Sequence, residues 1–314
     1  MPWVRGRVVA ASVLALLLVA TTGNAAPARL EFAVTDTTLV VPGLDPGLDG
    51  LRVAQISDAH LGVFTPDDRV RRAIAAVNEA RPDLVFLTGD FVTFGRGPTK
   101  RVGQVFAGLI PPTFAVLGNH DHWVDAPRVT RELAEVGYTV LENAARRIEV
   151  RGRPLWIVGI GDLRTGHDDM DAALRDLPPG ESRLVLAHGP RTVEKLPPGA
   201  GLVMFSGHTH GGQVVLGNLT PAIARRVGEP YLSGLHTVRG NQVYVNVGLG
   251  HGRGGPGVRV GTRPELAFFT LRAGPPAPPE ASALLDTPAS GPASGPAAEP
   301  AAEPASAASR PRDP

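Results

Sequence analysis

The sequence predicts an α/β protein of two packed sheets with helices outside. Short apolar runs alternate with amphipathic segments across residues 29–272. Strand and helix alternate early, and strands dominate late. Several apolar runs stop at polar or glycine residues, the places where layered α/β proteins build sites. No internal repeat of fixed period is visible.

In chain order, residues 51–56 read as a strand that ends at Ser57-Asp58-Ala59-His60. Residues 66–80 place Val70, Ile74 and Val77 at helical spacing, with Pro66 suited to a first turn. Residues 84–87 form a buried strand ending at Gly89-Asp90, and a weaker helix covers 99–108. The apolar run 113–117 is a strand that stops at Gly118-Asn119-His120-Asp121. A helix over 126–136 stops at Gly137. Strands at 148–150 and 155–160 flank a turn, and a helix spans 169–176. Strand 183–187 ends at His188, and strand 202–205 ends at Gly207-His208-Thr209-His210. Residues 235–238 and 242–247 flank Arg239-Gly240-Asn241 as a hairpin, and 265–271 is the last strand.

Composition narrows the chemistry. The 314 residues carry a net charge of +1 and only 5% aromatics, which argues against a nucleic-acid groove. The absence of cysteine excludes disulfides, thiolate zinc sites and a cysteine nucleophile, so a metal must be held by nitrogen and oxygen. Arg5 and Arg7 precede an apolar run from Val8 to Ala20, then small residues. Residues 1–28 therefore read as a signal peptide cleaved after Ala25 or Ala26, or as an uncleaved membrane anchor. Either way the expected location is outside the cytoplasm: exported, periplasmic or membrane-anchored. Residues 273–314, rich in Ala, Pro, Gly and Ser, read as a disordered tail.

Five strand ends deliver Asp58 and His60, Asp90, Asn119 with His120, His188, and His208 with His210. In an Asp-x-His pair after a strand, alternation puts both side chains on one side. Carboxylate, imidazole and amide donors of this kind suit two divalent ions sharing a bridging carboxylate, and Mn, Fe, Zn or Co all fit. His120 can shuttle a proton near neutral pH, and Asp121 could hold its imidazole in one tautomer, with capping of the following turn as the alternative. His122 reads as a solvent-facing neighbour, and His167 and His236 as loop or hairpin residues. His251 and Arg253 in the Gly-rich stretch 250–257, and Arg259 and Arg263 beyond it, are candidate contacts for an anionic substrate.

Asp58-Ala59-His60, Gly89-Asp90, Gly118-Asn119-His120-Asp121, His188 and Gly207-His208-Thr209-His210 together resemble the calcineurin-like metallophosphoesterase superfamily. The leader, the Gly-Gly-Gln after His210 and Arg263-Pro264-Glu265 are similar to its exported or membrane-associated YkuE/YaeI-like bacterial branch. The resemblance implies a four-layer α/β/β/α sandwich of two mixed sheets, the metallo-dependent phosphatase fold. It also implies that Asp58, His60 and His210 hold one ion, that Asn119, His188 and His208 hold the other, and that Asp90 bridges. His120 would be the non-ligand histidine that stabilises the phosphoryl group or protonates the leaving oxygen. The implied activity is hydrolysis of a phosphodiester or pyrophosphate by a metal-activated hydroxide, on a substrate that is lipid-linked or a nucleotide. A phosphomonoesterase with the same centre and a non-catalytic scaffold are the alternatives.

Overall fold

The computed structural model describes residues 32–62, 64–175, 177–178, 180–252 and 258–276. The expected leader, Arg253 and the expected tail from residue 277 lie outside the described residues. Among the described residues, no helix is long and apolar enough to cross a membrane.

Twelve strands form two six-stranded sheets. The first runs in the order β1 (Ala33–Pro42), β12 (Glu265–Gly274), β2 (Leu51–Ile56), β3 (Leu84–Thr88), β4 (Thr113–Val116), β5 (Thr139–Val140). The second runs β10 (Gly234–Val238), β11 (Asn241–Val245), β9 (Val203–Ser206), β8 (Ser182–Ala187), β7 (Arg153–Ile160), β6 (Ala144–Val150). Both are mixed. β2 to β5 are parallel with β12 antiparallel to β2, while β7, β8, β9 and β11 are parallel with antiparallel β6 and β10 at the edges.

The apolar runs are nearly continuous because each central strand is covered on both faces. On β3, Leu84 and Phe86 face the second sheet, whereas Val85 and Leu87 face the helices α1 (Asp67–Ala80), α3 (Val102–Phe106) and α5 (Ala126–Glu135). On β8 the split repeats, with Leu184 and Leu186 inward and Val185 and Ala187 outward. Three apolar cores thus separate four layers in the order α/β/β/α. The central one is stitched by Phe205, whose ring centroid lies 5.1 Å from that of Phe86 and 5.0 Å from that of Phe269.

Several expected boundaries shift for local reasons. The helix expected over 99–108 is two short ones, α2 (Arg96–Thr99) and α3, because Gly97, Pro98 and Gly103 weaken a continuous ladder. Pro66 is the N-cap of α1 rather than part of its first turn. Asn119 opens a six-residue helix, α4 (Asn119–Val124), where a turn was expected. The helix near 170 is shorter, α6 (Met170–Leu174). β1 and α7 (Leu219–Arg226) have no counterpart in the sequence reading. β12 continues through Gly274, past the expected end of the domain at Arg272.

Phe205→Ala removes the ring that joins the two sheets and is expected to destabilise the domain by about 3–5 kcal/mol. Chemical denaturation read by circular dichroism measures this as a lower midpoint with an unchanged slope.

Candidate metal centre

β2, β3 and β4 of one sheet and β8 and β9 of the other end at the same edge, and their following loops meet there. Backbone bonds hold the loops together. Asp58 N–H donates to Gly89 O at 3.0 Å, His60 N–H to Asp90 O at 2.9 Å, and Gly207 N–H to His188 O at 3.0 Å. The sheets are joined directly where His208 N–H donates to both Asp58 carboxylate oxygens at 3.0 Å.

Asp58, His60, Asp90, His208 and His210 hold φ of 50, 48, 54, 74 and 52°, the left-handed region. Strand alternation has therefore ended before the donors begin, and the expected reason for Asp58 and His60 sharing a side does not apply. Left-handed turns aim them instead. The motif glycines serve close approach. A Cβ on Gly118 would lie 2.2 Å from Asp90 Oδ1, and one on Gly207 would lie 2.1 Å from Asp58 Oδ2.

The donors form three overlapping groups: Asp58, His60 and His210; His60, Asp90 and His120; and Asp90, His188 and His208. Asp90 Oδ2 sits 3.4 Å from His60 Nε2 and 3.3 Å from His188 Nε2, so one carboxylate faces both sides. His60 Nε2 approaches His210 Nε2 to 3.0 Å, and His208 Nδ1 approaches His188 Nε2 to 3.2 Å. Asn119 Oδ1 is buried among these groups without a hydrogen-bond partner. Ring nitrogens and an orphaned amide oxygen converging on a carboxylate fit divalent cations, and the nitrogen and oxygen donor set suits borderline ions.

Protonation is set by burial and by neighbours. Burial opposes ionisation of Asp58 and Asp90, but His210 beside the first and His188 beside the second hold both carboxyls below their usual range. Burial holds His60 down at about 3 and, with the His188 charge, His208 at about 4, so both rings are neutral at ordinary pH. His188 is the opposite case. Burial disfavours its charge, yet Asp90 and Asp58 raise it well above the usual imidazole range. Its Nδ1–H donates to Thr88 O at 2.7 Å, which leaves Nε2 facing Asp90, where a proton and a cation compete.

His120 Nδ1–H donates to Thr93 O at 2.9 Å, so Nε2 is the free nitrogen of this ring. Asp121 does not hold the imidazole. Its carboxylate accepts from Phe91 N at 2.9 Å, Val92 N at 3.3 Å and Gly118 N at 2.9 Å, tying the loop after β3 to the loop after β4. Burial and the Asp90 charge push its carboxyl up to about 8, while these N–H donors oppose the rise. His122 is not solvent-facing. Its side chain is 5% exposed, lies 3.3 Å from Glu142 and stacks on His167 at 4.0 Å between centroids. Arg259 Nη2 donates to Gly248 O and lies 3.0 Å from His210 Nδ1, behind the cluster rather than in its mouth. His251 is buried against Arg69, and Arg263 is exposed. The sequence reading missed Ser57, whose Oγ donates to Asp58 Oδ2 at 2.5 Å, and Thr93, whose carbonyl fixes the His120 tautomer.

Two mixed sheets that pool carboxylates and imidazoles at one shared edge define a metal-dependent hydrolase of the metallo-dependent phosphatase fold. The chain belongs to the calcineurin-like phosphoesterase family, whose model matches residues 51–212, and it is a phosphoric ester hydrolase. It is 30% identical over 247 residues to the uncharacterised metallophosphoesterase YkuE of Bacillus subtilis, covering 76% of this chain and 85% of that one. It is 33% identical over 227 residues to the phosphodiesterase YaeI of Escherichia coli, covering 70% and 82%. It is 27% identical over 284 residues to the UDP-2,3-diacylglucosamine pyrophosphatase LpxG of Chlamydia trachomatis, covering 71% and 84%.

Two outcomes are expected. Asp121→Asn presents an amide where N–H groups need an acceptor and should cost about 1–3 kcal/mol, read as a lower unfolding midpoint. A cation taking His188 Nε2 would have to displace a proton that Asp90 and Asp58 hold tightly, so metal affinity should rise with pH across the neutral range. Calorimetry in buffers of different ionisation enthalpy should show proton release on binding.

Proposed function

We propose that this chain hydrolyses a phosphodiester or pyrophosphate bond with two divalent ions, one held by Asp58, His60 and His210 and the other by Asn119, His188 and His208, with Asp90 between them. The single observation that carries this reading is the clustering, from five strand ends, of Asp58, His60, Asp90, His188, His208 and His210 in overlapping donor groups beside a pocket that Asn119 also lines. When bound, such ions neutralise phosphoryl oxygens and make water a nucleophile near neutral pH. Mn, Fe, Zn and Co are the candidates.

The chain's own residues do the rest. The Asp121 clamp and the bond from His120 N–H to Asp90 Oδ1, at 2.9 Å, fix His120 against the carboxylate between the two donor groups. With Nδ1–H committed to Thr93 O, a proton carried on His120 Nε2 can pass to the leaving oxygen. The His120 ring packs edge-on against Phe94 at 5.9 Å and Trp123 at 5.0 Å between centroids.

A diester is favoured over a monoester on charge and shape. Among the described residues, no Lys or Arg lines the metal pocket itself, and Arg96 in the hollow beside His120 is the one cationic side chain lining either flank, so a dianion meets few cationic side chains there. Hollows flank the pocket on both sides, one at Phe94 and Trp123 and the other at Val214 and Ile223, which leaves room for two ester substituents. The LpxG-like relative acts, by its name, on a nucleotide-linked diacyl sugar, and a lipid-linked substrate is part of this proposal. Residues 1–28 acting as an export signal or anchor would place the reaction outside the cytoplasm.

His120→Ala should retain both metal equivalents by elemental analysis and lose about 10²–10⁴-fold in turnover on an alkyl-leaving diester. The loss should shrink sharply with a p-nitrophenyl leaving group, which departs without a proton. An equal loss on both substrates would remove His120 as the proton donor, and faster turnover of monoesters than of bis-esters would favour the phosphomonoesterase.

A further inference from the structure

Resting on the phosphoesterase reading above, we propose that the apolar groove beside His208 binds the alkyl or acyl chain of an amphiphilic phosphoester and so presents a lipid-linked phosphate to the metal centre. The groove lies between α7 and the turn that follows β9. Among the described residues, five of the fourteen exposed large apolar side chains fall within residues 214–227: Val214, Leu216, Leu219, Ile223 and Val227. Leu219, Ile223 and the C-cap residue Val227 recur at helical spacing, so α7 shows solvent an apolar stripe where a surface helix normally shows charge, with Leu216 in the preceding turn.

Beneath that stripe is a cavity of about 500 Å³ walled by Val214, Leu216, Ile223, Ala224, Val227 and Leu232. Its inner end is the metal pocket itself, since His208, Thr209 and Gly212 line both. Gly212 keeps the junction narrow but open. At φ 84° it carries no side chain, and a Cβ there would lie 2.7 Å from Thr220 Cγ2 and 3.7 Å from Leu232 Cδ1. Thr209 Oγ1 donates to Leu232 O at 2.6 Å and pins the opposite wall.

The polar groups of the groove are already engaged, which identifies the occupant. Thr220 Oγ1 donates to Val214 O at 3.1 Å and accepts from Leu216 N at 2.8 Å. Glu229 pairs with Arg164 at 3.7 Å and faces His208 Nε2 at 3.9 Å. A sugar or base would find few free partners along these walls, whereas a hydrocarbon chain needs none. Because the groove opens into the metal pocket at a donor residue, the chain it takes is the one esterified to the phosphate under attack.

The test uses the full chain with metal supplied and phosphodiesters that share a p-nitrophenyl leaving group. The second ester is methyl, butyl, octyl or dodecyl, each below its aggregation concentration. The ratio of kcat/KM to that of the methyl ester should climb with length, by up to about fourfold per buried methylene, and then level off. Ile223→Asp and Val227→Asp should flatten that climb. Ile110→Asp, at an exposed apolar position away from the groove, should keep it. A readout independent of turnover is titration with an environment-sensitive undecanoyl fluorophore, expected to bind at least tenfold more weakly to Ile223→Asp. A flat series in the unsubstituted chain, or a climb unaffected by both Asp variants, overturns the groove. If the methyl ester is cleaved while the series is flat, the groove fails and the phosphoesterase reading stands. If no ester is cleaved yet the probe shows the tenfold loss, the groove stands and the phosphoesterase reading fails. If vesicle binding is lost in Ile223→Asp while the climb persists, the stripe is a membrane-docking face and the groove assignment is wrong.

Discussion

The candidate metal centre depends on a backbone held in the left-handed region at Asp58, His60, Asp90, His208 and His210, none of which is glycine. Each such residue costs roughly 1–3 kcal/mol, so five together persist only if the surroundings over-determine them. They do. Asp58 is held at its N–H by Gly89 O and at its carbonyl by Gly250 N–H, while its carboxylate takes His208 N–H and Ser57 Oγ. The residues that carry donor side chains are thus also the hydrogen-bonding hubs that join the loops. Strain at the donors and cohesion between the sheets are two aspects of one arrangement.

The same bonds explain why the two sheets pack with their site-bearing edges aligned. Gln55 Nε2 donates to Thr88 Oγ1 at 2.9 Å within the first sheet and to Ser206 O at 3.0 Å in the second. His188, from the second sheet, donates to Thr88 O in the first. The apolar core between the layers supplies most of the packing energy but carries no directional bonds. Directional bonds buried beside that core set the alignment.

Much of this was legible in the chain, for a definite reason. Strands covered on both faces leave nearly continuous apolar runs, so β3, β4 and the end of β8 are visible as strings of Val, Leu, Phe and Ala, with β2 interrupted by Arg52 and Gln55, and the glycines and donors at their ends stand out by contrast. What stayed hidden depended on distant partners. β1 alternates in burial and pairs with β12 some 230 residues away, so no local signal ties it to a sheet. Asp121 looked like a partner for the histidine beside it, but its acceptors are claimed by Phe91 and Val92, whose approach only the fold creates. His122 is covered by His167 from another loop. The stripe on α7 was readable, since Leu219, Ile223 and Val227 are spaced four apart, yet Pro221 within that run masks the helix in a propensity reading.

The placement of cationic side chains decides what kind of anion the site can hold. Among the described residues, Arg69 and Arg259 lie behind the cluster, and Arg96 lines the hollow beside His120, 3.7 Å from Asp125. Arg69 donates to Leu249 O at 3.2 Å, and Arg259 donates to Gly248 O and Gly250 O. Their charge is committed to three carbonyls of one loop, and that loop seats Gly252 so closely that a Cβ there would lie 2.8 Å from His210 Nε2. Burial lowers Arg259 to about 10, as expected of a guanidinium engaged in structure rather than exposed to ligand. Among the described residues the metal pocket itself is lined by no Lys or Arg, while Arg96 lines the hollow beside His120. One flanking hollow offers Phe94 and Trp123 together with Arg96 and the other an aliphatic wall, which is why the substrate we propose is a singly charged phosphate with a bulky apolar substituent.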